Sequence, residues 1–270
     1  MLTSLGWRIS RKKAGLSRWL MEHASNYLDS YNDFSYDFEV NGERFLVSAL
    51  APFGLRTVLD VGANVGGWAQ IAADAFPQAA VHAFELSEGT RKVLKSNLEG
   101  VRFVVPDRAL GSTAGFVEYK DYGELSTVNS IVATTFHDAT TPFTLRSAQL
   151  VRGDDYLRQH GIEHVDLLKI DVEGAEMHVL RGFEDALRRG AIRVIQFEYG
   201  HANADAGPGH LMKDFYALLE GTGYAVGRLW SAGVQFSPFK YRFNNFDSGP
   251  NYVAVLKSES DLLRTLTSKV

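Results

Sequence analysis

Short apolar runs rich in β-branched residues alternate with helix-patterned stretches through the middle of the chain, and this alternation limits the fold more than any other feature. The runs are Thr57–Val61, Ala80–Phe84, Val101–Val105, Val165–Ile170 and Ile192–Phe197. Helical spacing follows the first in Gly67–Phe76, the second in Glu88–Leu98, the fourth in Glu173–Leu187 and the fifth in Leu211–Glu220. Ser87 stands where an N-cap would, and Gly100 just past the end of its helix. Continuous apolar strands alternating with helices imply a mostly parallel sheet covered on both faces, an α/β fold. Two later runs, Tyr224–Leu229 and Tyr252–Leu256, have no helix-sized stretch between them and are expected to pair antiparallel as a long hairpin. Residues 106–156 are less regular: Gly111–Tyr119 reads as a further hairpin, and the Ser/Thr-rich residues 121–148 as a loop.

Composition removes several function classes. The 270 residues contain no cysteine, so thiolate metal sites, disulfides and a cysteine nucleophile are excluded. Hydrophobic residues make up 45% and the formal net charge is −4, which excludes intrinsic disorder and argues against a nucleic-acid partner. No apolar run reaches the roughly 18 residues of a membrane span. Residues 1–21 hold five positives (Arg8, Arg11, Lys12, Lys13, Arg18) and no acid, whereas 22–43 hold six acids and no Lys or Arg. No apolar core follows the early positives, so a secretory signal is not expected and the cytoplasm is the default compartment. Leu16, Trp19, Leu20 and His23 form a helical stripe, either core-facing or a peripheral membrane contact without stable insertion. The expected organisation is a helical extension over 1–44, one catalytic domain over 45–257 and a tail over 258–270.

Ligands of open parallel sheets sit beyond the carboxyl ends of the strands. The first strand ends in Asp60-Val61-Gly62-Ala63-Asn64-Val65-Gly66-Gly67. Glycines there permit a tight turn, and the following helix aims free N–H groups at an anion. The spacing is not G-x-G-x-x-G, and a carboxylate at Asp60 would repel a pyrophosphate but suit an ammonium group. The second strand ends in Glu85, able to accept both ribose hydroxyls. Free ribose hydroxyls, an ammonium and no phosphate describe S-adenosylmethionine, with Gly62, Ala63, Asn64 and Gly66 forming the turn and Leu86 following the ribose acid. The turn Pro106-Asp107-Arg108-Ala109 after the third strand would border the adenine, with Asp107 facing its amine. The plain alternatives are a surface turn acid at Asp60, a helix-dipole acid at Glu85 and a turn residue at Asp107.

The fourth strand runs through Lys169 to Asp171, then Glu173 and Glu176; the fifth ends in Glu198, with His201 beyond it. Side chains alternate along a strand, so Lys169 shares a face with Asp171, and a buried strand lysine needs a partner. Neighbouring strands would bring Asp171, Glu198 and His201 to one mouth. Asp171 is otherwise an N-cap, and His201 a solvated loop histidine.

Several of these blocks resemble the FkbM family of methyltransferases. They are Asp60 to Gly66, Ala83-Phe84-Glu85, Lys169-Ile170-Asp171-Val172-Glu173-Gly174-Ala175-Glu176 with Val179-Leu180-Arg181-Gly182, and Phe197-Glu198. Val151–Leu157 and Asn251–Val255 are similar to that family's pre-strand element and last strand. The resemblance implies a class I methyltransferase, Rossmann-like sheet of seven strands in the order 3-2-1-4-5-7-6 with the last strand antiparallel. It also implies O-methylation of a small-molecule or glycan acceptor: a sugar hydroxyl of a glycolipid, polysaccharide or glycosylated natural product. Leu86 stands where the family usually has Pro, and Ser112 where it often has an acid. A hydroxyl needs a base, for which Asp171, then Glu198 and His201, are the candidates, with Asp171 at the strand end also expected among the cofactor-binding residues beside the methyl group. Asp171 and Glu198 could instead hold Mg²⁺. A nicotinamide-linked oxidoreductase and a non-catalytic cofactor-binding protein are the alternatives. The aromatic run from Tyr224 through Trp230, Phe236, Phe239, Tyr241, Phe243 and Phe246 is a sugar-stacking surface, hairpin core or homodimer contact.

Overall fold

The structure, a computed structural model, describes residues 15–31, 35, 37–100, 102–123, 126–127, 129–132, 141–241 and 251–268. Helices α1 (Leu16–Tyr31) and α2 (Glu43–Leu50) precede an alternating core. This core runs β1 (Thr57–Val61), α3 (Gly67–Ala75), β2 (Ala80–Phe84), α4 (Glu88–Asn97) and β3 (Phe103–Val104). Next come β4 (Ala109–Gly111), β5 (Gly115–Asp121), β6 (Thr144–Arg152), α5 (Gly153–Gln159) and β7 (Val165–Ile170). Then α6 (Glu176–Gly182), α7 (Glu184–Arg188), β8 (Ile192–Glu198), α8 (His201–Asp205) and α9 (Met212–Gly221) follow. The chain closes with β9 (Tyr224–Trp230), β10 (Gly233–Phe236), β11 (Asn251–Leu256) and α10 (Ser260–Leu266).

The main sheet is mixed, in the order β10-β9-β11-β8-β7-β1-β2-β3, a class I methyltransferase-like α/β arrangement. It has eight strands rather than seven. Gly233–Phe236 turns back onto β9 and adds an antiparallel edge strand. Consequently β9 and β11 are not joined as one hairpin, although they pair antiparallel. A second sheet, β4-β6-β5, replaces the hairpin expected at Gly111–Tyr119. There β5 pairs antiparallel with β6, and β4 lies parallel to β6, from Ala109 opposite Leu150 to Gly111 opposite Arg152. The far end of the Ser/Thr-rich stretch is therefore strand rather than loop.

Alternation sorts the side chains of the main sheet onto two faces. Leu59, Leu168, Ile170 and Ile195 pack with α5, α6 and α9; Val58, Leu167, Val194 and Val253 pack with α2, α3 and α10. Burying each such side chain contributes about 1.5–3 kcal/mol. The second face also carries a polar row. Asp60 lies opposite Lys169, and Lys169 opposite Gln196, in adjacent strands. α2 caps this row: Gln196 Nε2 donates to Glu43 Oε1 at 2.6 Å and to Asn251 Oδ1 at 3.3 Å. Of the aromatic run, Tyr224 is buried and Phe239 packs against the first core cluster, Phe236 against the second. Phe243 and Phe246 lie outside the described residues. No described helix is long and apolar enough to cross a membrane.

Candidate active site

A cavity of about 660 Å³ opens at the carboxyl ends of β1, β2, β7 and β8, within the range of small-molecule sites. The loop carrying Ser126, Thr127, Asn129 and Ile131 covers it together with Leu110 and Leu150 of the small sheet. Ser130 Oγ donates to the Val172 carbonyl at 3.2 Å, tying this cover to the end of β7.

One end of the cavity is the glycine turn. Gly62 has φ +87°, and a Cβ there would stand 1.7 Å from the Asp171 carbonyl oxygen, so only glycine fits. The Gly62 and Ala63 amides donate to the Phe84 carbonyl at 2.9 and 2.8 Å. Glu85 is buried and divides its carboxylate between the Asn64 amide at 3.0 Å and the Ser87 amide at 2.8 Å. Burial raises its pKa against those two hydrogen bonds. Asn64 itself takes a left-handed φ of 47°. Gly66, also left-handed, is the N-cap of α3 and lies outside the cavity wall. Gly62, Ala63, Asn64, Glu85, Leu86 and Ala109 all line the cavity.

Three residues expected at this end stand elsewhere. Asp60 is fully buried beneath the floor, its carboxylate 3.6 Å from Lys169 Nζ, an ion-pair distance longer than a good hydrogen bond. Burial pushes its pKa to about 6 against the pull of Lys169. Asp107 is largely exposed and held by Lys95 at 2.6 Å, so its side chain does not face the cavity. Arg108 is half-buried and also outside the lining.

The other end is acidic. Asp171, Glu173 and Glu198 each bring a carboxylate oxygen within 4.8 Å of the others. Lys169 Nζ donates to Asp171 Oδ2 at 3.0 Å, and its ammonium sits 5.6 Å from the centre of the Trp68 ring. Burial would strip the Lys169 proton, but the charges of Asp171, Asp60 and Glu43 outweigh it and hold the pKa high. Burial likewise pushes Asp171 up, yet Lys169 and a hydrogen bond with Glu198 overcome it and hold Asp171 below the usual carboxylate range. Burial and the Asp171 charge drive Glu198 well upward. Glu173 rises to about 8 through burial and the charges of Asp171 and Glu176. Asp171 is thus pushed down while Glu173 and Glu198 are pushed up, a divergence of the kind that separates acid and base roles.

Two residues of this end carry no signal in residue type alone. Glu173 has φ +54°, which turns it into the cavity instead of starting a helix. Glu176 is buried, accepts the Val172 and Gly174 amides at 3.0 and 3.2 Å and Asn203 Nδ2 at 2.6 Å, and so shapes the loop after β7. Asp171 is therefore not an N-cap; α6 begins at Glu176. His201, expected at the mouth, is exposed as the first residue of α8 and does not line the cavity.

The model of the methyltransferase FkbM domain matches residues 60–226. The 31-O-demethyl-FK506 methyltransferase FkbM of Streptomyces tacrolimicus is 30% identical over 197 residues, covering 63% of this chain and 72% of that protein. The hexuronic acid methyltransferase AglP of Haloferax volcanii is 27% identical over 143 residues, 52% of this chain and 55% of its own length. The AMB antimetabolite synthetase AmbE of Pseudomonas aeruginosa is 27% identical over 238 residues, 76% of this chain but 11% of that much longer protein. With the matched region spanning both ends of the cavity, the chain belongs to the FkbM family of methyltransferases.

Proposed function

We propose that this methyltransferase uses S-adenosylmethionine to methylate a hydroxyl of a sugar, or of a glycosylated natural product, glycolipid or polysaccharide. The observation that carries the reading is Asp171: a carboxylate kept ionised by Lys169 at 3.0 Å, in a cavity whose opposite end is the Gly62 turn with Glu85. The residues fit the cofactor. Glu85 spends part of its acceptor capacity on two amides, and its remaining lone pairs suit ribose hydroxyls. Leu86, Ala109 and Leu110 offer an apolar slot for a flat base. When bound, S-adenosylmethionine supplies a methyl group already activated on a sulfonium.

The chain's own residues then have two tasks. The first is alignment of the acceptor oxygen with the methyl carbon, a proximity contribution. The second is proton removal. As the acceptor oxygen takes the methyl group that the cofactor would supply, its hydroxyl proton would pass to the Asp171 carboxylate. Lys169 holds that carboxylate in place, and Glu198 donates to it from the other side. Ser126, Thr127 and Asn129 give the cover a hydrogen-bonding surface for a polyhydroxylated acceptor. Similarity to a 31-O-demethyl-FK506 methyltransferase and to a hexuronic acid methyltransferase supports acceptors of this kind.

A second reading rests on the Asp171, Glu173 and Glu198 cluster, whose three oxygens match the donors Mg²⁺ takes. Such an ion would acidify the hydroxyl in place of Asp171. Lys169 already supplies the counter-charge, which favours the metal-free reading. The test is transfer of radiolabelled methyl to a panel of glycosides with and without EDTA, with product linkage read by NMR. Labelled O-methyl product in EDTA supports the first reading, and loss restored by Mg²⁺ the second. Labelling on nitrogen or carbon overturns both, and binding of NAD in preference to S-adenosylhomocysteine would return the chain to the oxidoreductase class.

A further inference from the structure

A second cavity, of about 450 Å³, opens beside the first and is within the range of small-molecule sites. Ser112 of the β4–β5 turn and Phe116 of β5 form one side; His178 of α6 and Asp205 at the end of α8 form the other. Ile131 and Leu150 line both cavities, so the two share a wall. The α6 side joins them as well. Ala175, the N-cap of α6, lines the first cavity and His178 the second. Residues three apart on a helix are neighbours on one face, so the second cavity begins one turn along from the loop that carries Glu173. None of the glycine-turn residues lines it. It therefore extends the acidic end, which holds Asp171 and Glu173. One helical turn, about 5.4 Å, is also close to the length of one sugar unit in a glycan chain.

The lining is polar and fixed in place. Ser112 Oγ lies 3.4 Å from His178 Nδ1, and the buried His210 ring meets the His178 ring at 4.7 Å between centres. Arg181 Nη2 donates to the Gly209 carbonyl at 3.3 Å, which holds the chain before His210 against α6. Burial, with His210 and Arg181 nearby, pushes His178 below the ordinary histidine value. At neutral pH its ring is then uncharged and has one donor and one acceptor nitrogen. Asp205 repels an anion, and no Lys or Arg is among the described residues of the lining. Ser112 and His178 both donate and accept, which matches hydroxyl groups and not an ammonium, a donor only. Phe116 is 79% exposed and sets an apolar ring face at the rim, suited to the C–H face of a sugar.

We propose that the second cavity is an acceptor subsite for a neutral sugar ring adjoining the ring that is methylated, so that the acceptor is a glycan or glycoside of at least two rings. This rests on the hydroxyl-methylation reading above and narrows its acceptor.

The experiment measures initial rates of methyl transfer from S-adenosylmethionine by the full chain to matched sets of acceptors. Each set holds a methyl glycoside of one sugar (glucose, galactose, mannose or rhamnose), disaccharides that extend it by one neutral ring, and disaccharides that extend it by a uronic acid. The neutral second ring should raise kcat/KM about tenfold, through KM and not kcat. His178→Ala should lose that gain while turnover of the single ring stays within about twofold, since the residue lies outside the first cavity. Thermal unfolding checks that the variant folds, and Phe116→Ser, at an exposed ring, reads the same loss without touching the interior. Transfer to single rings with no gain from a second overturns the proposal alone. A gain that survives both variants, or an equal gain from the uronic acid, also overturns it. No transfer to any member of any set overturns the hydroxyl-methylation reading and the proposal with it.

Discussion

The two ends of the cavity are built on opposite principles. At the glycine turn each polar group shown is satisfied by the chain: Gly62 and Ala63 on the Phe84 carbonyl, Asn64 and Ser87 on Glu85, and the Glu85 carbonyl by Arg91 at 2.8 Å. At the acidic end three carboxyl groups crowd within 4.8 Å, with Asp171 pushed down and Glu173 and Glu198 pushed up. The first end is held by the chain's own hydrogen bonds with no ligand present. The second sets one carboxylate held down by Lys169 beside two pushed up by burial and like charge, groups of unequal basicity as a proton transfer needs. Preorganised binding and poised chemistry are thus separated across one cavity and meet where the Asp171 carbonyl lies against Gly62 and the Asp171 amide donates to the Val61 carbonyl at 2.9 Å.

That junction gives the largest expected effect. Gly62→Ala would place a Cβ 1.7 Å from the Asp171 carbonyl oxygen at a left-handed φ, so it should lose about 3 kcal/mol or more of stability. Thermal unfolding checks it, and a melting temperature equal to wild type would show that the two ends are not so closely joined. Next in size, Glu85→Ala should weaken S-adenosylhomocysteine binding about tenfold to a hundredfold by calorimetry, through lost charge-assisted hydrogen bonds. An unchanged Kd would remove the ribose assignment.

A smaller effect separates the ends by pH. Glu173 rises from an ordinary 4.5 to about 8 in the fold, so its contribution to stability is complete below about 4.5 and is lost as pH climbs through 8. Glu176, at about 7, acts in the same direction. The melting temperature should therefore fall between pH 5 and 9. Glu173→Gln should flatten that fall by about a few degrees, and a slope identical to wild type would contradict the crowding at this end. Smallest of all, His201→Ala should leave turnover within about threefold, since the ring stands outside the cavity. A loss as large as that expected of an essential base would return the histidine to the mechanism.

The legibility of the sequence follows the same division. Glu85, Asp171 and Glu198 were visible because a parallel α/β pattern sends every strand end to one rim, whatever the details of packing. Lys169 was visible as a charged residue in a buried strand, and its partners proved to be Asp60 and Asp171. What sequence could not show were orientations set by non-local contacts. Asp60 and Lys169 pair across two strands, which turns the aspartate away from the cavity. Lys95 draws Asp107 outward, and α8 starts at His201 rather than beyond it. Glu173 entered the site through a left-handed φ that a non-glycine residue seldom adopts. The small sheet escaped notice because β4 and β6 pair across a long separation, with no local turn to announce it.

The claim that Asp171 receives the acceptor proton is tested most directly by kcat for methyl transfer by Asp171→Asn, with the Kd for S-adenosylhomocysteine measured on the same preparation. The account predicts kcat lower by about 10² to 10⁴ with Kd within about threefold of wild type, because the residue acts in the chemistry and not in holding the cofactor. Undiminished turnover, or a loss confined to Kd, would contradict it.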